Sequence, residues 1–196
     1  MTLLRFAPSP NGYLHLGHAY SALLNVHVAR MLAGRFLIRI EDIDTTRCTS
    51  DYTRACLEDL AWLGLSWEEP VRIQSQHFDE YGHVITHLRE RGLLYPCFCS
   101  RREISVASQQ RDPEGAPLYP GTCRHLNEQD IARRIAEGLP HAWRLDMQKA
   151  SSALSGHESY IRFSLPEMKE ERVAIQPQRW GDVVLARKDI PTSYHI

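Results

Sequence analysis

Along the first 94 residues two hydrophobic periods alternate. Leu3–Ala7 is a short apolar run that reads as a strand. From Leu16 to Ala33, apolar positions such as Ala19, Leu23 and Val26 recur at helical spacing, and Gly34 follows as a stop. The period then falls to two over Arg35–Glu41, with Phe36, Ile38 and Ile40 on one face of a strand. A second helix is expected from Ser50, as its N-cap, to Gly64. A third carries Phe78, Tyr81, Ile85 and Leu88 on one stripe and stops at Gly92. The order strand–helix–strand–helix–helix predicts an α/β fold with a doubly wound parallel sheet.

The pattern changes near Tyr95. Residues 97–125 are rich in Cys, Pro, Gly, Arg and Ser and have little periodicity. A short helix follows over Asn127–Glu137, with an Asn cap and Gly138 behind it. Strand-like runs lie at His141–Leu145 and Tyr160–Phe163, and Asp182–Ala186 reads as a buried strand returning to the main sheet. The expected organisation is a first half-domain over 1–94, a small α+β insertion over 95–176, and a return to the first domain over 177–196.

Composition narrows the picture modestly. A chain of 196 residues, 43% hydrophobic and 24% charged, suits a globular domain with one insertion. There is no membrane-length apolar run and no signal-peptide pattern, so a cytoplasmic location is expected. Net charge is −1, and Arg101–Arg144 holds seven arginines against six acids, so contact with a nucleic acid would have to be local. Five cysteines without a leader argue against a disulfide framework. Cys56 shares a helical face with Leu60 and Leu63 and reads as a core thiol.

Two groups of residues carry candidate chemistry. The first is Ala7-Pro8-Ser9-Pro10-Asn11-Gly12-Tyr13-Leu14-His15-Leu16-Gly17-His18, a strand–turn–helix segment. The N-terminus of a helix attracts anions through its free N–H groups and dipole. Gly17 would let a ligand approach the backbone, and His15 and His18 could donate to phosphate oxygens. The alternative is a turn with incidental histidines. The second group is Cys97, Cys99 and Cys123 in the loop-rich stretch, with Tyr119 and His125 nearby. Thiolates so placed suit a structural Zn2+ site. His125 is the commoner type of fourth ligand, and reduced cysteines without metal are the alternative.

Arg5-Phe-Ala-Pro-Ser-Pro-Asn-Gly-Tyr-Leu-His-Leu-Gly-His18 and Arg39-Ile-Glu-Asp-Ile-Asp44, with Arg47 beyond, resemble the signatures of the glutamyl branch of class I aminoacyl-tRNA synthetases. The resemblance covers nearly the whole chain and implies a Rossmann-like catalytic domain. It assigns His15, Gly17 and His18 to ATP, taken with Mg2+ as substrate. Residues matching Arg5, Ala7, Ser9 and Glu41 line the family's glutamate pocket, and Tyr194 stands where it has a pocket tyrosine. Arg5 could clamp a carboxylate and Glu41 pair an ammonium group, although each could equally serve a structural ion pair. Asp42 and Asp44 are expected to fix the loop and cap the next helix.

Cys-x-Cys…Tyr-x-x-x-Cys resembles the zinc pattern of a shorter branch, which makes Tyr119 the fourth ligand with His125 in reserve. Members of that branch attach glutamate to the queuosine base of tRNA(Asp) without needing tRNA for activation. Gln74-Ser-Gln76 and Trp180-Gly-Asp-Val-Val-Leu-Ala-Arg-Lys look like that branch too. The partners implied are L-glutamate, ATP and tRNA(Asp), with the chain a monomer. An ordinary glutamyl-tRNA synthetase fragment and a non-catalytic zinc-stabilised RNA-binding remnant are the alternatives. The family's second, lysine-bearing signature lies beyond Ile196, so the resemblance implies an incomplete catalytic domain, weak or inert on its own.

Overall fold

A computed structural model describes residues 2–154, 158–164, 169–190 and 192–193. The chain forms two compact units, Met1–Glu80 and Tyr81–Ile196. The expected boundaries at 94/95 and 176/177 both lie inside the second.

The first unit is a parallel α/β layer. Its elements are β1 (Leu3–Phe6), α1 (Leu16–Met31), β2 (Arg35–Ile40), α2 (Ser50–Trp62) and β3 (Arg72–Ile73), followed by a 3-10 turn over Gln74–His77. The strands are parallel in the order β1-β2-β3, paired from Leu3↔Arg35 to Phe6↔Ile38 and at Arg39↔Arg72 and Ile40↔Ile73. Among the described strands this sheet winds in one direction only, so the second half of the expected double winding is not seen. Phe36, Ile38 and Ile40 are buried, as their alternation requires, and pack with Phe6, Val26, Cys56 and Leu60. Burial pushes the Cys56 thiol up to about 11, as fits a core cysteine.

Local details depart from the sequence pattern at two helix ends. Helix α1 stops at Met31, and it is Ala33, not a glycine, that takes the left-handed turn, at φ 46°. Gly34 serves close approach instead: a Cβ there would lie 2.7 Å from the Thr2 carbonyl oxygen, which accepts the Arg35 N–H. At α2 the cap is Thr49, whose hydroxyl accepts the Tyr52 N–H at 3.2 Å, one residue before Ser50.

The second unit is α+β. Helix α3 (Phe78–Glu90) enters it, followed by β4 (Leu94–Cys97), α4 (Arg101–Ala107), α5 (Glu128–Ala136), β5 (Ala142–Leu145) and α6 (Met147–Ser152). A hairpin of β6 (Ser159–Ser164) and β7 (Lys169–Ala174) precedes β8 (Val184–Ala186). The expected return to the main sheet does not occur: β8 pairs antiparallel with β5, through Trp143↔Ala186 and Arg144↔Val184, in a sheet ordered β4-β5-β8. Leu185 and Ala186 are buried there with Ile85 and Leu94. A buried three-residue strand signals burial but not which sheet provides it.

Asp182, only 2% exposed, ties this unit together. Its Oδ2 accepts from Tyr95 Oη at 2.5 Å and Arg124 Nε at 2.8 Å, and its Oδ1 from Met147 N at 3.0 Å. Its carbonyl accepts from Arg144 Nη1 at 2.6 Å. One buried carboxylate thus joins β4, the cysteine loop and the start of α6. Removing one partner of a buried, hydrogen-bonded ion pair leaves the other uncompensated. Asp182→Ala should therefore destabilise the protein by about 3 kcal/mol. Urea denaturation followed by circular dichroism measures this, and an unchanged midpoint would refute it.

Candidate functional site

Chain direction brings the two signature segments together. Strands β1 and β2 are adjacent and parallel, so their carboxyl ends lie side by side, where open α/β sheets bind ligands. Beyond those ends the Glu41 N–H donates to the Pro8 carbonyl at 2.9 Å. Pro10 is among the most fully buried residues and anchors the loop. Ser9 Oγ lies 3.6 Å from Cys48 Sγ, which joins the loop to the segment before α2. Asp42 accepts from Ser75 N at 2.8 Å and Ser75 Oγ at 2.5 Å and so ties the end of β2 to the turn after β3. Asp44 takes Thr46 Oγ1 at 2.6 Å and Arg47 Nε at 2.7 Å. These bonds hold its carboxyl down near 2. Both aspartates fix loops, while the helix cap falls to Thr49.

The glutamate-pocket candidates differ in their surroundings. Arg5 is exposed and has no ion-pair partner among the described residues. Ala7 is half-buried and Ser9 exposed. The Glu41 side chain is only 10% exposed and is already ion-paired, through Oε1, with Nη2 of Arg39. The sequence reading missed Arg39. Its signal was two-residue spacing on one strand, which puts both side chains on the same face. Tyr194 lies outside the described residues.

The histidine pair caps its own helix. His15, at the N-cap, accepts the Gly17 N–H on Nδ1 at 3.1 Å, and the His15 N–H donates to Nδ1 of His18 at 3.2 Å. The two rings lie 3.9 Å apart, tilted by 32°. The His18 N–H is also satisfied, by the His15 carbonyl at 2.9 Å. The expectation of free backbone amides for an anion is therefore corrected at Gly17 and His18. An Nδ1 that accepts must be unprotonated, so each neutral ring carries its proton on Nε2 and offers that N–H outward. Gly17 has a local function as well: a Cβ there would lie 3.0 Å from Cε1 of His15. An apolar groove of about 560 Å³ runs beside His15, lined by Leu16, Tyr20, Leu23 and Trp62.

The cysteine cluster lies in the second unit. The sulfurs of Cys97, Cys99 and Cys123 are all within 4.8 Å of one another, with Cys99 and Cys123 3.5 Å apart and unbridged. Tyr119 Oη is 3.8 Å from Cys99 Sγ and accepts the Cys123 N–H at 2.8 Å. Cys97, Cys123 and Tyr119 are buried, whereas His125 is exposed and outside the cluster. A hydrogen bond from Cys97 lowers the Cys123 thiol to about 6, and the same bond raises Cys97 to about 12. Burial raises Tyr119. Three converging thiols with a phenol beside them fit a tetrahedral Zn2+.

A parallel α/β unit with a strand–turn–helix histidine signature, joined to an α+β unit, is the architecture of a class I synthetase catalytic domain. The chain belongs to the family of class I tRNA synthetases (E and Q), catalytic domain, whose model matches residues 2–196. It is 42% identical over 202 residues to a glutamyl-Q tRNA(Asp) synthetase of Rhodobacter capsulatus, covering 99% of this chain and 70% of that protein. It is 36% identical over 200 residues to a glutamate–tRNA ligase of Aquifex aeolicus, covering 97% of this chain and 38% of that one. A solved glutamate tRNA ligase from Elizabethkingia meningosepticum, in complex with its amino acid, superposes with a TM-score of 0.69 at 25% identity. The match covers 98% of this chain and 40% of that structure. Among the described residues, no helix is long and apolar enough to cross a membrane.

His18 titrates below the usual 6.5, because burial disfavours the charged ring and His15 repels it. The folded state thus binds this proton less readily than the unfolded chain. Stability from His18 is complete above 6.5 and is lost as pH falls from there toward the lowered value. Nitrogen-15 NMR should show both neutral rings as Nε2–H tautomers and a His18 midpoint below 6.5. A ring protonated on Nδ1 at neutral pH would overturn the capping geometry.

Proposed function

We propose that this chain provides the glutamate-activating site of an ATP-dependent synthetase whose acceptor is the queuosine base of tRNA(Asp). The observation that carries the reading is the Glu41–Pro8 hydrogen bond, which sets the two signature segments side by side at the carboxyl ends of adjacent parallel strands. Joining a carboxylate to the α-phosphate of ATP needs no protein nucleophile; it needs positioning and neutralised phosphate charge. His15 and His18 suit that task as neutral Nε2–H donors, with Gly17 making room for the ring that caps the helix. Mg2+ enters with ATP as substrate. Arg5, which has no ion-pair partner among the described residues, is the cation for the substrate's side-chain carboxylate, Glu41 an anion for its ammonium group, and Ala7 and Ser9 line the space between them. Tyr194 belongs to the same proposal on sequence grounds alone.

The choice of acceptor is supported by the comparisons. The Rhodobacter capsulatus relative matches over 70% of its length, whereas the chain spans 38% of the Aquifex aeolicus ligase. Action as an ordinary glutamate–tRNA ligase is the second reading, supported by that ligase's 36% identity over nearly the whole chain. The cluster of Cys97, Cys99, Cys123 and Tyr119 would hold a structural Zn2+ that orders residues 95–176 as an insertion. The burial of Tyr119 and the exposure of His125 favour the phenol as fourth ligand. The protein is proposed to work as a cytoplasmic monomer.

Three measurements test these assignments. With radiolabelled glutamate, a protein carrying this chain together with the rest of the catalytic domain should charge queuosine-containing tRNA(Asp) and not tRNA(Glu); labelling of tRNA(Glu) alone would exchange the two readings. In glutamate-dependent pyrophosphate exchange, Glu41→Gln should raise the KM for glutamate about tenfold, as loss of a charge-assisted hydrogen bond requires, and leave that for ATP unchanged. For the metal, Tyr119→Phe should lower bound zinc and His125→Ala should not. The reverse order would make His125 the ligand.

A further inference from the structure

Three thiolates around a divalent cation leave one net negative charge, and a charge buried in protein is costly unless it is compensated. The cluster has such a compensating group beside it. Arg144, on β5, places its guanidinium carbon 4.0 Å from the centre of the Tyr119 ring. Its Nη1 is fixed by the Asp182 carbonyl at 2.6 Å. Its Nε is buried without a hydrogen-bond partner. Among the described residues no carboxylate pairs with it, because Asp182 spends its side chain on Arg124, Tyr95 and the Met147 N–H. A half-buried, oriented cation with a buried Nε, which no carboxylate neutralises among the described residues, is costly to keep unless something else supplies negative charge.

We infer that Arg144 is a positioning residue of the Cys97–Cys99–Tyr119–Cys123 cluster, stacking on the Tyr119 ring and supplying the counter-charge of the thiolates. This rests on the metal reading proposed above. A guanidinium suits both tasks at once. Its plane stacks on an aromatic face while its edge N–H groups still donate. Lysine, a point charge on a flexible stem, supplies the charge without the stack. Groups behind the ligands orient them and commonly tune metal affinity as strongly as a ligand's own partner does.

The test is titration of the purified, metal-free protein with Zn2+ against a chelator, and with Co2+ followed by absorption spectroscopy. Wild type should bind one ion. Arg144→Met, which keeps the stem and removes the charge, should weaken Zn2+ binding by about 10- to 100-fold and alter the Co2+ thiolate charge-transfer bands. Arg144→Lys should fall between the two. Leu60→Ala, in the core of the first unit, serves as a control for general destabilisation; its affinity should match wild type. Wild-type affinity in Arg144→Met, with only its melting temperature lowered, would overturn the inference and leave the metal reading intact. Should Arg144→Met fail to fold, Arg144→Lys decides, and wild-type affinity there overturns the inference equally. A wild-type protein that binds no Zn2+ overturns the metal reading and the inference with it.

Discussion

The candidate site depends on the parallel pairing of β1 with β2. Four rungs, Leu3↔Arg35 to Phe6↔Ile38, place the ends of two distant segments next to each other. In parallel strands both chains run the same way, so both loops leave at one edge of the sheet. The Glu41–Pro8 hydrogen bond extends the pairing past the last rung into the loops. Gly34 permits the pairing to begin, because β2 starts against the Thr2 carbonyl where no Cβ fits. A proline-rich loop has few backbone donors with which to hold itself. It is anchored instead by burial of Pro10 and by β2 alongside.

The second unit is held differently. Its sheet is small, its cysteine loop is irregular, and part of its cohesion comes from a polar centre at Asp182. Such a centre is costly if half-satisfied and specific if complete. Here both carboxylate oxygens and the carbonyl of Asp182 have partners, from Tyr95, Arg124, Met147 and Arg144. The same residue therefore orders the loop through Arg124 and fixes the arginine that stacks on Tyr119. Cluster geometry and fold stability are linked through one side chain.

What was legible in the sequence follows the physics that leaves a local trace. Helical and strand periods located β1, α1, β2, α2, α3 and α5 to within a few residues, because each buries one face of a regular element. The pairing of β8 with β5 left no such trace, since a buried apolar triplet reads the same in any sheet. The left-handed residue at Ala33 was hidden behind the more obvious Gly34. Convergence of Cys97, Cys99 and Cys123 was readable from residue type and spacing, whereas Arg144 and Asp182 belong to elements far along the chain and only folding reveals their role. Arg39 opens the signature Arg39-Ile-Glu-Asp-Ile-Asp44, but residue type and order alone do not mark it as the partner of Glu41, which only the folded geometry shows.

That partner changes what the proposed glutamate pocket must do. An isolated carboxylate would be a strong, unselective cation site. Glu41 is not isolated: one oxygen is already committed to a guanidinium, and the other alone remains for a ligand's ammonium group. Pairing with Arg39 also makes the near-burial of Glu41 tolerable in the free protein, since a buried charge is costly unless it is paired. The opposite pole, Arg5, is exposed and has no ion-pair partner among the described residues. On the proposed reading the pocket is thus asymmetric, with a weakened anion at one end and a full cation at the other. A bare cation gains little from such a pair, whereas a ligand bearing an ammonium group and a carboxylate gains at both ends. Electrostatic selection for a glutamate-like molecule then follows from one ion pair made and one left open.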